Sequence, residues 1–155
     1  MYKRQIFVYI VGGLFVLFVL LGLISQKGEA PGLENGRLTE PGSKPNAVCS
    51  EPDTQSERAV SPIKGKVADV SDAIEATGGT ITARSDDYLS ATYMSRLFKF
   101  VDDVEVRQDG ELCQIRSGSR VGYSDRGVNR KRVEIIRSAV QSKSCLLYTS
   151  PSPRD

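Results

Sequence analysis

Histidine is absent from this sequence. That removes Ser-His-Asp and Cys-His nucleophiles, imidazole metal ligands and the usual general base near neutral pH. An enzyme built from these residues would have to use carboxylates, lysine, tyrosine or a bound cofactor, and nothing in the chain calls for a cofactor. A surplus of charge is lacking too. The 21 Lys and Arg against 19 Asp and Glu leave +2, too little to argue for nucleic acid as a partner. No phosphate-loop pattern and no dinucleotide-binding fingerprint occurs. Asp86, Asp87, Asp102 and Asp103 do not fit a calcium loop, so they read as solvated faces with one structural pair. Cysteine is scarce, with three residues. One of them, Cys145, opens the terminal stretch CLLYTSPSPRD, which resembles the in-frame translation of a sequencing adapter. Residues 145–155 are expected to be disordered and to stand outside the fold.

What the chain does have is one long apolar run. Ile6 to Ile24 carries no charge and no polar face, and at about 1.5 Å per residue it covers about 28 Å, the thickness of a bilayer core. A cleaved signal peptide competes with a transmembrane anchor here. The run is longer than the usual signal core, and Gly28-Glu29-Ala30 is followed by Pro31, a poor cleavage context. Residues 1–24 therefore read as an uncleaved single-pass anchor in the inner membrane. Lys3 and Arg4 place its N-terminus in the cytoplasm and the rest of the chain in the periplasm or its equivalent. Residues 25–45, rich in Pro and Gly, read as a flexible linker reaching about 25 Å.

Residues 46–144 leave room for one modest domain. Ile63, Val67, Val70, Ile74 and Thr77 recur at helical spacing, and Gly78-Gly79 ends that helix. Thr80 to Ala83 and Tyr88 to Ser95 read as strands. Asp109-Gly110 predicts a type I′ hairpin. With those two as the loop, Val106 faces Cys113, Val104 faces Ile115 and Asp102 faces Ser117. Phe98, Phe100, Val104, Val106, Cys113 and Ile115 then share the core face with Asp102. Asp103 opposite Arg116, and Glu105 opposite Gln114, fall on a wetter face. A last helix carries Val128, Val133, Ile136 and Val140 on one arc, with Asn129 and Arg132 inside that arc. Asp102 and Arg132 are thus expected to pair, with Asn129, Ser117 and Ser119 close by. The fold expected is α+β: an antiparallel sheet of about four strands, one helix before it and one after.

Phe100 to Glu105, Arg116-Ser117-Gly118-Ser119-Arg120-Val121-Gly122-Tyr123-Ser124-Asp125 and Gly127 to Arg132, with the entry Pro45-Asn46-Ala47-Val48, resemble the bacterial family known as domain of unknown function 1499. The resemblance runs from about Lys44 to Val140. It implies a small domain, often behind a membrane segment, and brings no established activity. Lys99 and Arg126 depart from it, since the family commonly has a small and an apolar residue there.

The stretch Arg116 to Arg137 carries the functional expectations. A Gly/Ser loop opening into a helix offers backbone N–H groups to an anion, and Arg116, Ser117, Ser119, Arg120, Tyr123, Ser124, Asp125, Asn129, Arg130 and Arg132 are the candidate ligand-binding residues. The competing reading is structural: Ser124 or Asp125 caps the helix, Arg132 closes the pair with Asp102, and the other cations are solvated. Three functions stay open. One is a non-catalytic envelope module binding a small anion, a lipid headgroup or an envelope protein. Another is a hydrolase or transferase using Asp102, Arg132 and Tyr123. The third is a purely structural domain. Cys49 and Cys113 are a candidate disulfide, with a buried free thiol at Cys113 as the alternative.

Overall fold

The computed structural model describes residues 2–148, beginning in one long helix, α1 (Tyr2–Gln26), and ending in another, α3 (Val128–Tyr148). Between them lie β1 (Leu33–Glu34), β2 (Arg37–Leu38), β3 (Ala47–Cys49), β4 (Ile63–Lys64), α2 (Val67–Ala76), β5 (Thr80–Arg84), β6 (Tyr88–Met94), β7 (Val101–Asp109) and β8 (Leu112–Ser119). The order β3-β8-β7-β6-β5 runs across one sheet, and β4 also pairs with β8. The α+β class holds, with six strands in place of about four. The two extra strands, β3 and β4, are two or three residues long and occupy separate parts of the outer edge of β8. Pieces that short show no alternation, yet they satisfy backbone groups that an open edge would leave unpaired.

Helices α2 and α3 cover one face of the sheet. Val70, Ile74, Val133 and Ile136 pack there against Leu89, Val104, Val106 and Ile115, all fully buried. Ile63 is not in α2. It is the first residue of β4, opposite Cys113, because Gly65 at φ 137 breaks the chain direction before the helix starts. Asp69 accepts the Lys66 N–H at 3.2 Å and caps the new start. At the other end Gly78, at φ 93, takes the left-handed closing turn.

The central hairpin turns one residue later than the sequence signal suggests. Gly110 and Glu111 are its loop, and Gly110 alone has positive φ, which fits a type II′ turn rather than I′. Every partner on β8 moves by two. Asp102 faces Ser119, Val104 faces Ser117, Val106 faces Ile115, Asp103 faces Gly118 and Glu105 faces Arg116. A shift of two preserves the side-chain alternation, so each of these residues keeps its expected face.

Three further expectations change. Phe98 and Phe100 leave the core face; they precede β7 and pack on Phe18 of α1. The expected linker is folded in its middle: Asn35 and Gly36, both at positive φ, form the turn of the β1–β2 hairpin, and Leu38 is buried. Asn-Gly between two leucines is a hairpin signal legible in the sequence. The terminal helix runs through Cys145 to Tyr148, since no breaker precedes Pro151, and residues 149–155 lie outside the described residues.

The end of α1 is fastened to the domain. Ser25 Oγ accepts the Val101 N–H at 3.2 Å and donates to Gly22 O at 2.7 Å, while Arg120 Nη1 donates to Ser25 O at 3.1 Å. Gly22 lies so close to the Phe98 carbonyl that a Cβ there would stand 1.8 Å from its oxygen. Only glycine permits that approach.

Candidate functional site

Strand β8 carries most of the candidate residues, and its alternation divides them. Ser117 and Ser119 face the helices, whereas Arg116 and Arg120 face the other side. On the helix side Arg132 Nη2 stands 2.7 Å from Asp102 Oδ2, and its Nη1 donates to Asn129 Oδ1 at 2.6 Å. The same oxygen accepts Ser117 Oγ at 2.6 Å. Asn129 Nδ2 donates to Asn46 O and Ser119 Oγ, both at 3.0 Å. The Arg132 guanidinium also lies 4.7 Å from the centre of the Tyr93 ring, which adds a cation–π contact. Asn129 is fully buried and every polar atom of its amide is used. The loop before α3 is closed by Asp125, whose carboxylate accepts from Gly127 N at 3.0 Å and Asn129 N at 2.7 Å. Asp125 therefore occupies the anion position that the helix start offers.

Along β7 and β8 the opposite face is dry, against the expectation of a wet one. Glu51 and Arg107, Glu105 and Arg116, and Asp103 and Arg120 form three ion pairs, and the three carboxylates are buried. Arg120 holds Asp103 through two bonds of 2.7 Å, and Arg107 holds Glu51 through two of 3.0 Å. Those carboxylates keep both guanidinium groups charged beyond their usual range. Glu105 also accepts Gly32 N and the Tyr88 hydroxyl, each at 2.7 Å. Burial, then the bond to Glu105, pushes the Tyr88 phenol up. Gly118 leaves room for the Ala47 methyl of β3, since a Cβ there would stand 2.9 Å from it. The β1–β2 segment lies over this row, with Gly32 N bonded to Glu105 and Leu38 N to Glu51, which is why the row is dry. Glu51, Tyr88, Glu105 and Arg107 were not among the sequence candidates: Glu51 and Gly32 come from segments that read as loop and linker, and Glu105 read as lying on a wet face.

Cys49 and Cys113 are both free and buried. Cys49 pairs with Arg116 on the ion-pair side, while Cys113 points to the helices, so the sheet stands between the two thiols and no disulfide joins them. Cys113 Sγ donates to Gly65 O at 3.3 Å, and burial followed by the Asp69 charge pushes its pKa from 9.0 up to about 11. Cys49, Tyr88 and Tyr93 are raised as well, burial being the first cause in each. A thiol raised on folding keeps its proton after the unfolded chain has lost it. Its contribution is complete below pH 9 and is lost as pH climbs toward about 11. The urea midpoint is expected to fall across that window, and Cys113→Ala to fall less steeply. Equal slopes in the two proteins would remove Cys113 from the account.

Two clefts of about 590 Å³ open on the surface. One lies on the uncovered half of the ion-pair face, between the end of α1 and strands β5 and β6. Thr82, Ser90, Thr92 and Tyr88 line it, with Arg120 at its base and Glu29 on its wall. The other is bounded by Tyr123, Ser124, Asp125 and Arg130. Arg130 already donates to Ala59 O and Glu57 O at 2.8 Å, and Tyr123 is 73% exposed. Arg116, Arg120, Arg130 and Arg132 thus all donate to acceptors within the protein. Asp102 and Arg132 meet as a pair, but Tyr123 lines a separate cleft and does not join them. Among the described residues, no group of three or more acidic or cysteine side chains is placed to hold a metal ion. Asp102 and Asp103, being neighbours on a strand, point to opposite faces, each to its own arginine.

Comparison with curated proteins finds no match. A family described as "protein of unknown function (DUF1499)" matches residues 37–140, which takes in β2 through most of α3 and both rows of paired charges. With two thirds of its length inside that match, the chain belongs to the DUF1499 family.

Proposed function

We propose that this protein is a non-catalytic, membrane-anchored envelope module that binds the polar headgroup of a lipid in the cleft beside its anchor. Helix α1 is long and apolar enough to cross a bilayer. Lys3 and Arg4 at its start favour a cytoplasmic N-terminus and a domain on the outer side of the cytoplasmic membrane. The observation that carries the reading is the fastening of α1 through Ser25 to Val101 and Arg120. It holds the domain at the end of the apolar helix, so the cleft walled by Gln26 to Ala30 opens at headgroup height. The cleft has the volume of a small-ligand site. Its polar lining is mainly hydroxyl and amide, set among Ala30, Ala83, Met94 and Val101, and its one guanidinium is neutralised by Asp103. Such a surface suits an uncharged or zwitterionic headgroup better than a bare anion.

Native mass spectrometry of the full chain released from membranes tests this. Wild type is expected to retain a lipid that Thr82→Trp, which fills the cleft from an exposed position, does not retain. Equal lipid on both proteins, or none on wild type, would reject the cleft as the site.

A further inference from the structure

The β6–β7 connection, Ser95-Arg96-Leu97-Phe98-Lys99-Phe100, presents apolar side chains outside the domain core. Leu97 is 75% exposed at its tip, and Met94 at its base is 54% exposed. Phe98 does not turn back into the domain core. Its ring lies 5.1 Å from Phe18 and 5.9 Å from Phe15, both on the apolar helix. Those residues come six and nine positions before Ile24, the end of the uncharged run. At about 1.5 Å per residue they sit about 9 and 14 Å below that end, inside one leaflet of a core about 30 Å thick. A ring packed on both of them lies below the headgroups wherever α1 spans the bilayer.

We infer that the Ser95–Phe100 loop inserts into the leaflet at the C-terminal end of α1, as a second membrane contact of the domain. This rests on the reading of α1 as a transmembrane anchor. The loop's chemistry fits the occupant. Leu97 and Phe98 supply apolar surface, and the exposed Arg96 and Lys99 flank them, long enough to reach up to lipid phosphates. The loop is closed on itself, with Ser95 N donating to Phe100 O at 2.8 Å and Phe100 N to Ser95 Oγ at 2.9 Å, which limits the polar backbone carried into lipid. The Phe98 carbonyl is sheltered against Gly22. Lys99 holds φ at 57, a conformation that lets Phe98 and Phe100 both turn toward the helix.

The chain has no tryptophan, so one introduced residue reports alone. Full chains carrying Leu97→Trp, Val16→Trp or Glu111→Trp are placed in phosphatidylethanolamine and phosphatidylglycerol vesicles, with and without lipids brominated on the acyl chain. Leu97→Trp is expected to emit at shorter wavelength and to lose most of its emission to the bromines, as Val16→Trp does in mid-helix. Glu111→Trp, at the far tip of the hairpin about 27 Å along β7, is expected to emit as in water. Quenching of Val16→Trp alone overturns the insertion and leaves the anchor standing. If neither is quenched, the anchor reading fails and the insertion fails with it.

Discussion

Replacing Glu105 by alanine is expected to destabilise the domain by about 3–5 kcal/mol, the largest effect of any single change outside the hydrophobic core. Glu105 has no exposed surface, and three donors converge on it: Arg116 at 3.2 Å, and the Tyr88 hydroxyl and Gly32 N–H at 2.7 Å. Alanine would leave the Arg116 guanidinium without its counter-charge, and Arg116 Nε already lacks a partner. The desolvation cost of that cation is then uncompensated. The same change releases the β1–β2 segment, whose Gly32 N–H is tied down by the carboxylate. Chemical denaturation followed by far-UV circular dichroism measures the loss. The double change Glu105→Gln with Arg116→Met removes both charges and keeps an acceptor for Tyr88 and Gly32. It is expected to cost less than half as much as the single alanine. A single alanine variant within about 1 kcal/mol of wild type would show that this ion pair is not sealed from water.

Asn129→Ala is expected to cost roughly 2–4 kcal/mol, because each buried polar group left unpaired carries a penalty of roughly 1–3 kcal/mol. Ser117 and Arg132 both donate to the Asn129 carbonyl oxygen, and Asn46 O and Ser119 Oγ both accept from its amide nitrogen. The residue therefore joins three elements: the entry to β3, strand β8 and helix α3. Asn129→Asp keeps the acceptor side and still fails, since a carboxylate would face the Asn46 carbonyl. A local readout separates this joint from general softening. The Ser119 N–H donates to Asn46 O at 2.9 Å, and its hydrogen exchange is expected to quicken in both variants more than that of Val106, in mid-strand. Unchanged exchange at Ser119 would mean that β3 is held without Asn129.

Both results follow from how the chain treats its charged residues. Buried ion pairs add little net stability, because desolvation offsets attraction, yet they penalise any arrangement that separates the partners. Three such pairs on one face and a fourth beneath α3 specify register where the apolar pattern alone would tolerate a slip. The side chains that sequence motifs mark for an anion are largely consumed in this way. That is why the cleft beside the anchor, rather than the arginine-rich turn, carries the functional reading.

The sequence by itself determined the apolar run of α1, the α+β class, the faces of the β7–β8 hairpin and the juxtaposition of Asp102 with the inward arc of α3. All of these depend on local periodicity, which a chain shows within a few residues. Only the tertiary structure decided what lies over the second face of the sheet. Glu51 meets Arg107, and Gly32 meets Glu105, across long loops, and no periodicity records such meetings. Tertiary packing also decided which residues close the hairpin, because one Gly suits two neighbouring turns and the strand partners choose between them. It decided the place of Phe98 as well: an alternating pattern assigns that ring to the core, but on β7 the helix-side core ends at Val104 and the apolar helix standing beside the domain takes the ring instead.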